Sequence, residues 1–228
     1  MFDLAGKRIL VTGAGGLLGK SIVRRLIELQ ATVVPTDIGE LDVLSQSEWE
    51  LACLKFQPDS LIHCAALTNN TRAGGESDLD RWNEILDVNL TGAYIGCTKT
   101  IPGMVERGGG SIVLLGSLYA SQSPHHNIYG GGVEQPIAYT VAKHGILGLT
   151  RYLAAKYAKD GVRVNCLSPG GVYNGQDATF VRRFSELCPI GRMATPDEVC
   201  GAVAFLVSDE SKYMTGQELV VDGGWSAW

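Results

Sequence analysis

Residues 7–19 read KRILVTGAGGLLG, and how this stretch folds decides the rest of the chain. Lys7 to Thr12 is a short apolar run of the kind that forms a buried strand, and it ends abruptly in glycine. Beyond the glycines, Leu18, Ile22, Leu26 and Leu29 recur at helical spacing. The stretch therefore predicts strand, tight turn and helix. Gly13, Gly16 and Gly19 stand at GxxGxxG spacing within that turn. Without side chains there, the backbone amides of the loop and of the helix start, Leu17 and Leu18 included, can approach a pyrophosphate. A glycine turn that binds no nucleotide is the competing reading.

Asp37 weighs against that competitor. A second β-like run, Thr32 to Thr36, ends at Asp37, 18 positions beyond Gly19. An acid at that point accepts hydrogen bonds from adenosine ribose hydroxyls and repels a 2′-phosphate. Ala14 and Gly15 offer no cation to such a phosphate. NAD is the expected cofactor, with NADP the less favoured choice, and a solvated turn aspartate is the alternative reading of Asp37.

Outward from this unit, strands and helices alternate. A helix is expected around Ser47 to Phe56, a strand at Ser60 to Ala66, a helix from Leu79 to Met104 and a strand at Ser111 to Leu115. A long helix from Ala138 to Lys159, a strand at Val162 to Leu167 and a last strand at Glu218 to Val221 complete the pattern. Thr195, Pro196 and Glu198 have a capping-box layout that starts another helix. The alternation implies right-handed crossovers and an α/β fold, a Rossmann-like doubly wound parallel sheet in three α/β/α layers. The 228 residues fit one domain over 1–228.

Composition excludes several classes. A hydrophobic fraction of 45% and a charged fraction of 19% suit a globular core, and the net charge of −5 leaves no basic field for nucleic acid. Neither a signal layout nor an apolar run long enough for a membrane span is present, so a cytoplasmic protein is expected. Six scattered cysteines without a CxxC pair read as reduced thiols, and no His or Cys recurs at ligand spacing, so no metal is expected.

Tyr139 and Lys143 lie four apart at the start of a helical pattern and project from one face. Ser117 follows a strand end in LLGSLYA, and Asn89 lies in DVNLTGAY. In a parallel sheet such strand ends are where ligands bind. Reducing a carbonyl requires a proton donor beside the hydride acceptor, and oxidising an alcohol requires the reverse. A phenol is a poor base at neutral pH, and an ammonium held close favours the phenolate. Tyr139 is thus the candidate acid and base and Lys143 its electrostatic partner. Ser117 would fix the substrate oxygen, with Ser121 a weaker rival, and Asn89 would hold a proton-relaying water. Each also has a structural reading: a packed aromatic, a solvated charge, a turn former, a capping group.

With these residues in view, the sequence resembles the short-chain dehydrogenase/reductase family over nearly its whole length. NLTG, YTVAK, VNCLSPGGV, GRMATPDEVCGAVAFLVSDES and TGQELVVDGG carry the resemblance to its single-domain branch. It implies that Asn89, Ser117, Tyr139 and Lys143 form the family's tetrad, and that Pro169, Gly170 and Val172 lie on its nicotinamide-side loop. Three departures stand out. The loop has Leu17 where Gly or Ala is usual, and its spacing resembles the extended, sugar-nucleotide branch. Asp42 follows Asp37 by only five positions, so the fold is shortened between the second strand and the following helix. That region resembles dTDP-4-dehydrorhamnose reductases, which implies that Asp42 and Val43 contact adenine and that Ala65 and Ala66 line the middle of the cofactor. Ser117 and Tyr139 are 22 positions apart, an insertion beside the site; Asn174 replaces the usual Thr.

The resemblance implies an oxidoreductase acting on a small-molecule alcohol or carbonyl. The insertion and NGQDATFVRRF resemble bacterial members associated with surface-sugar biosynthesis, such as flagellin modification. A nucleotide-sugar epimerase or dehydratase and a non-catalytic NAD(H)-binding regulator are the alternatives. Relatives of this type form dimers or tetramers, and an apolar tail with Trp225 and Trp228 suits an interface, so a homodimer or homotetramer is expected.

Overall fold

A computed structural model describes residues 2–68, 78–129 and 137–227. Its centre is a six-stranded sheet with every pairing parallel, in the order β2-β1-β3-β4-β5-β6. The strands are β1 (Arg8–Thr12), β2 (Thr32–Thr36), β3 (Ser60–His63), β4 (Gly110–Leu115), β5 (Val162–Pro169) and β6 (Glu218–Val221). β3 is buried at all four positions, as a parallel strand covered on both faces must be. The order reverses between β1 and β3. A crevice for ligand therefore opens at the carboxyl ends of those two strands.

Helices cover both faces. On one lie α2 (Gln46–Phe56), α4 (Gly92–Glu106) and α5 (Ile137–Tyr157), enclosing a core that includes Leu10, Trp49, Leu61, Ile101, Met104 and Ile112. On the other lie α1 (Leu17–Glu28) and α7 (Asp197–Val207), around Ile9, Val11, Ile22, Leu26, Ile62 and Val203. α3 (Asp78–Leu86) precedes α4, and α6 (Ala178–Leu187) lies between β5 and α7. The expected shortening is present: β2 is an edge strand, and the chain passes from it through α2 directly to β3.

Four local expectations change. The helix read from Leu79 to Met104 is two helices joined by a π-turn over Asp87–Thr91, where the Gly92 N–H reaches back to the Asp87 carbonyl. The strand expected to Ala66 ends at His63, because the glycine loop crowds the chain at Ala65. The capping box at Thr195 is half formed. Glu198 accepts from the Thr195 N–H at 2.8 Å, but the Thr195 hydroxyl donates to the same carboxylate instead of capping an amide. α6 is a helix that the expected pattern lacks. Asp177 caps it by accepting from the Thr179 N–H, and Val181, Phe184 and Leu187 supply its apolar stripe.

All six cysteines are free thiols. Trp225 does not belong to an exposed interface patch. It is buried within the chain and stacks on Phe184 at 4.4 Å, while Trp228 lies outside the described residues. Among the described residues, no helix is long and apolar enough to cross a membrane, and no group of His, Cys, Asp and Glu could hold a metal ion.

Candidate active site

The crevice is built first from backbone. Gly13 adopts a left-handed conformation, φ 63°, and a side chain there would come within 2.6 Å of the Ala65 N. The loop after β1 thereby lies directly against the segment after β3. A side chain at Gly19 would collide with the Gly13 carbonyl, so the first turn of α1 closes tightly on the loop. Gly16 precedes α1 in extended conformation with no side-chain cap, leaving first-turn amides, those of Leu17 and Leu18 among them, facing the crevice without intrahelical partners. Amides so arranged suit a pyrophosphate.

Asp37 lies where the second strand delivers it. Its Oδ2 accepts from the Gly15 N–H at 2.7 Å and its Oδ1 from the Ile38 N–H at 2.9 Å. A side chain at Gly15 would meet that carboxylate, also at 2.7 Å. Asp42 and Val43 follow in a tight turn. The Asp42 N–H donates to Glu48, and the buried Val43 gives its carbonyl to the Trp49 indole at 3.0 Å. Ala65 lies against the glycine loop and Ala66 is exposed beside it.

The second group of residues comes from the helices and from β4. Lys143 is buried, and its Nζ donates to the carbonyl of Leu115, the last residue of β4, at 2.6 Å. It also lies 5.5 Å from the centre of the Tyr139 ring. One helical turn of α5 is thus anchored on the end of β4, two residues before Ser117. Among the described residues Leu115 is the hydrogen-bond partner of this ammonium, which has three donors to satisfy. A ligand rich in acceptors fits what remains. Ser117 opens a short 3-10 turn over Leu118–Ala120, and its Oγ accepts from the Tyr119 N–H at 3.2 Å, leaving its own proton to donate. Ser121, the rival, points away to Glu218.

Asn89 sits buried in the π-turn. Its Oδ1 accepts from the Leu67 N–H at 2.6 Å and its Nδ2 donates to the Leu67 carbonyl at 3.0 Å. It therefore clamps the chain after β3, retaining one N–H and one lone pair for other contacts. Pro169 ends β5. Gly170 allows the backbone to pass Asp222, whose Cα a side chain would meet at 2.6 Å, and Val172 bridges to Ala194. Asn174 is exposed beyond that bridge.

Four neighbours of this constellation escaped the sequence reading. His63 ends β3, where its Nδ1 meets the Thr12 hydroxyl at 3.1 Å and its ring stacks on Trp49. Burial, and then the Lys143 charge, push its pKa down to about 3, so it is neutral. Burial also drives the Cys64 thiol up to about 12, against the opposing pull of Lys143. Tyr119 and Tyr129 bring their hydroxyls within 2.6 Å of each other. Burial raises the pKa of both, and the nearby Tyr139 adds to the rise. An apolar cluster of Leu118, Ile128, Phe184, Met193 and Trp225 supports this pair and Tyr139.

Comparison with known proteins places this geometry. Residues 2–226 match the family profile described as enoyl-(acyl carrier protein) reductase. The chain is 30% identical to the 2-keto-3-deoxy-L-fuconate dehydrogenase of Xanthomonas campestris, over 98% of this chain and 81% of that one. Among solved structures, a short chain dehydrogenase from Leptospira borgpetersenii with bound NAD+ superposes with a TM-score of 0.89 at 32% identity, covering 98% of this chain and 94% of that one. A gluconate 5-dehydrogenase from Burkholderia cenocepacia, in complex with NADP and tartrate, gives 0.87 at 26% identity, covering 100% and 98%.

Proposed function

Because this chain belongs to the short-chain dehydrogenase/reductase family of NAD(P)-dependent enzymes, we propose that it moves a hydride between NAD and the alcohol or carbonyl carbon of a sugar-derived substrate, with Tyr139 as acid and base. The observation that carries this is the Lys143 ammonium, buried against the Tyr139 ring with one donor spent on the end of β4.

The bound nicotinamide supplies the hydride acceptor or donor. The protein supplies the rest. Gly13, Gly16, Leu17, Leu18 and Gly19 hold the pyrophosphate through backbone amides, and Asp37 takes the adenosine ribose hydroxyls. Asp42 and Val43 border the adenine, in the manner of dTDP-4-dehydrorhamnose reductases, and Ala65 and Ala66 the middle of the molecule. Pro169, Gly170 and Val172 bound the nicotinamide. Lys143 has donors left for the second ribose and sets its ammonium beside Tyr139. Ser117, its proton free, donates to the substrate oxygen while Tyr139 gives that oxygen a proton in reduction or removes one in oxidation. The remaining N–H of Asn89 holds a water that returns the proton to solvent.

Two of the similar proteins support this substrate class by name, since gluconate and the deoxy-fuconate acid are hydroxylated sugar acids. The whole chain, 1–228, acts as one cytoplasmic domain and pairs as a homodimer or homotetramer. The outer face of α4 and α5 suits that pairing: Tyr94 and Tyr152 are exposed there, beside a groove of about 440 Å³ that Leu90 and Leu149 also line.

The test is hydride transfer itself, followed by NADH absorbance with sugar alcohols, aldonates and cyclic diols. Wild-type protein should turn over at least one class. Tyr139→Phe should lower kcat about a hundredfold or more while leaving NADH binding, read by fluorescence, nearly intact. Retention of most activity by that variant would overturn the assignment of Tyr139. Failure of wild type to bind either NADH or NADPH would move the chain to a non-enzymatic role.

A further inference from the structure

The insertion between Ser117 and Tyr139 delivers a side chain to the site. Its described part ends at Tyr129, whose hydroxyl lies 2.6 Å from that of Tyr119. Tyr119 occupies the 3-10 turn that Ser117 opens, so the pair is tied through two residues of backbone to the group that would hold the substrate oxygen. Both rings pack in the cluster that Tyr139 joins. Tyr129 is held from two sides by α6: its ring lies 5.3 Å from that of Phe180, and its carbonyl accepts from Arg183. The pair is a fixed feature of the wall beside Tyr139.

We propose that the Tyr119 and Tyr129 hydroxyls form a docking point for a second hydroxyl of the substrate, so that the enzyme selects polyhydroxylated substrates over mono-alcohols. This rests on the assignment of Tyr139 made above.

The hydrogen-bond inventory supports it. Two phenols bring two protons, and their mutual bond uses one. Among the described residues neither hydroxyl has a further partner, so the pair retains one free O–H and free lone pairs. A substrate hydroxyl, itself both donor and acceptor, satisfies both. A methylene in its place would leave a polar pair facing apolar substrate, which is costly in a half-buried wall. Both phenols are held neutral by burial, so the pair keeps its protons at physiological pH. It presents no fixed charge, and thus favours a neutral hydroxyl over a carboxylate at this point. The reacting carbon lies at Tyr139 and the recognised hydroxyl at the pair, so the substrate must carry a second hydroxyl, as a polyol does and a mono-alcohol does not.

The test compares each sugar alcohol, aldonate or cyclic diol with the mono-alcohol lacking its other hydroxyls. The readout is the ratio of the two kcat/KM values. Wild type should favour the polyol, and Tyr129→Phe, which keeps the ring against Phe180, should lower that ratio about tenfold, mainly through KM. Tyr119→Phe should do the same, and serves if the first variant fails to fold. The double variant should do no more than the stronger single one, because either change breaks the pair. Equal loss on polyol and mono-alcohol would mark the pair as a structural latch and overturn the proposal, as would a wild type indifferent to the second hydroxyl. A wild type that reacts with nothing, with Tyr139→Phe no different, is the separate failure of the underlying assignment and takes this proposal with it.

Discussion

The two sides of the crevice are built by different means. On the β1–β2 side, the position of every group follows from backbone: Gly13 in a left-handed conformation against Ala65, Gly19 against the Gly13 carbonyl, Asp37 on the amide of Gly15. On the β4–β5 side, position follows from side chains gathered from distant points. Tyr119, Tyr129, Tyr139, Phe184 and Trp225 meet in one cluster though they span over a hundred positions of chain. The first construction suits a ligand that does not change between relatives, since a backbone cradle has few variables. The second suits one that does, because aromatic walls can be exchanged without moving the sheet.

Gly13→Ala tests the first construction most severely. The new methyl group would meet the Ala65 backbone at 2.6 Å, in a conformation that L residues avoid. Neither partner is a flexible side chain, so the strain has no cheap outlet. A stability loss of about 2 to 4 kcal/mol is expected by urea unfolding, with NADH affinity down more than about tenfold. A variant as stable and as tight as wild type would mean that close backbone approach does not shape the cradle.

This difference also explains what the sequence revealed. The glycine turn was legible because its logic is local: Gly13, Gly16 and Gly19 mark a tight passage from strand to helix, and the Thr32–Thr36 and Glu218–Val221 strands formed where apolar runs placed them. The deleted crossover could be read from the step of only five positions from Asp37 to Asp42. The aromatic wall was not legible. Nothing in SLYASQSPHHNIYGG marks Tyr119 and Tyr129 as partners, since their pairing depends on how the insertion returns against α6. α6 itself left a signal that the expected pattern passes over, Asp177 followed by apolar residues at 181, 184 and 187. The π-turn at Asn89 left none, because its wider turn serves a contact with Leu67 that local sequence does not encode.

His63 lies on the seam between the two constructions, bonded to Thr12 of β1 and facing the charge of Lys143 from α5. Its pKa in the folded state, about 3, lies below its ordinary 6.5. The unfolded chain therefore takes up the proton first. The stability that neutral His63 contributes is complete above about pH 6.5 and is lost as pH falls toward about 3, by up to about 1.4 kcal/mol per pH unit. Unfolding free energies measured at about pH 7 and pH 5 should differ less in His63→Asn than in wild type, by about 2 kcal/mol. Equal pH dependence in the two proteins would mean that His63 is reached by water and that the seam is looser than its packing against Trp49 indicates.

The smallest effect sharpens the comparison most, because it asks whether the backbone cradle also chooses its ligand. The Asp37 carboxylate bonds the Gly15 amide at 2.7 Å and is only half-buried, so its charge is partly screened by solvent. Asn at this position keeps an acceptor for Gly15 and removes the charge. If Asp37 selects the cofactor, Asp37→Asn should weaken NADH through loss of a charged acceptor to the ribose hydroxyls and improve NADPH through loss of repulsion. The NADH-to-NADPH affinity ratio should then fall about tenfold, or about 1.4 kcal/mol, in parallel fluorescence titrations. A smaller stability loss than that of Gly13→Ala should accompany it, since no backbone atom has to move. If the ratio stays at its wild-type value while both affinities fall together, Asp37 serves to close the glycine loop, and the choice between NAD and NADP passes to the turn that carries Asp42 and Val43.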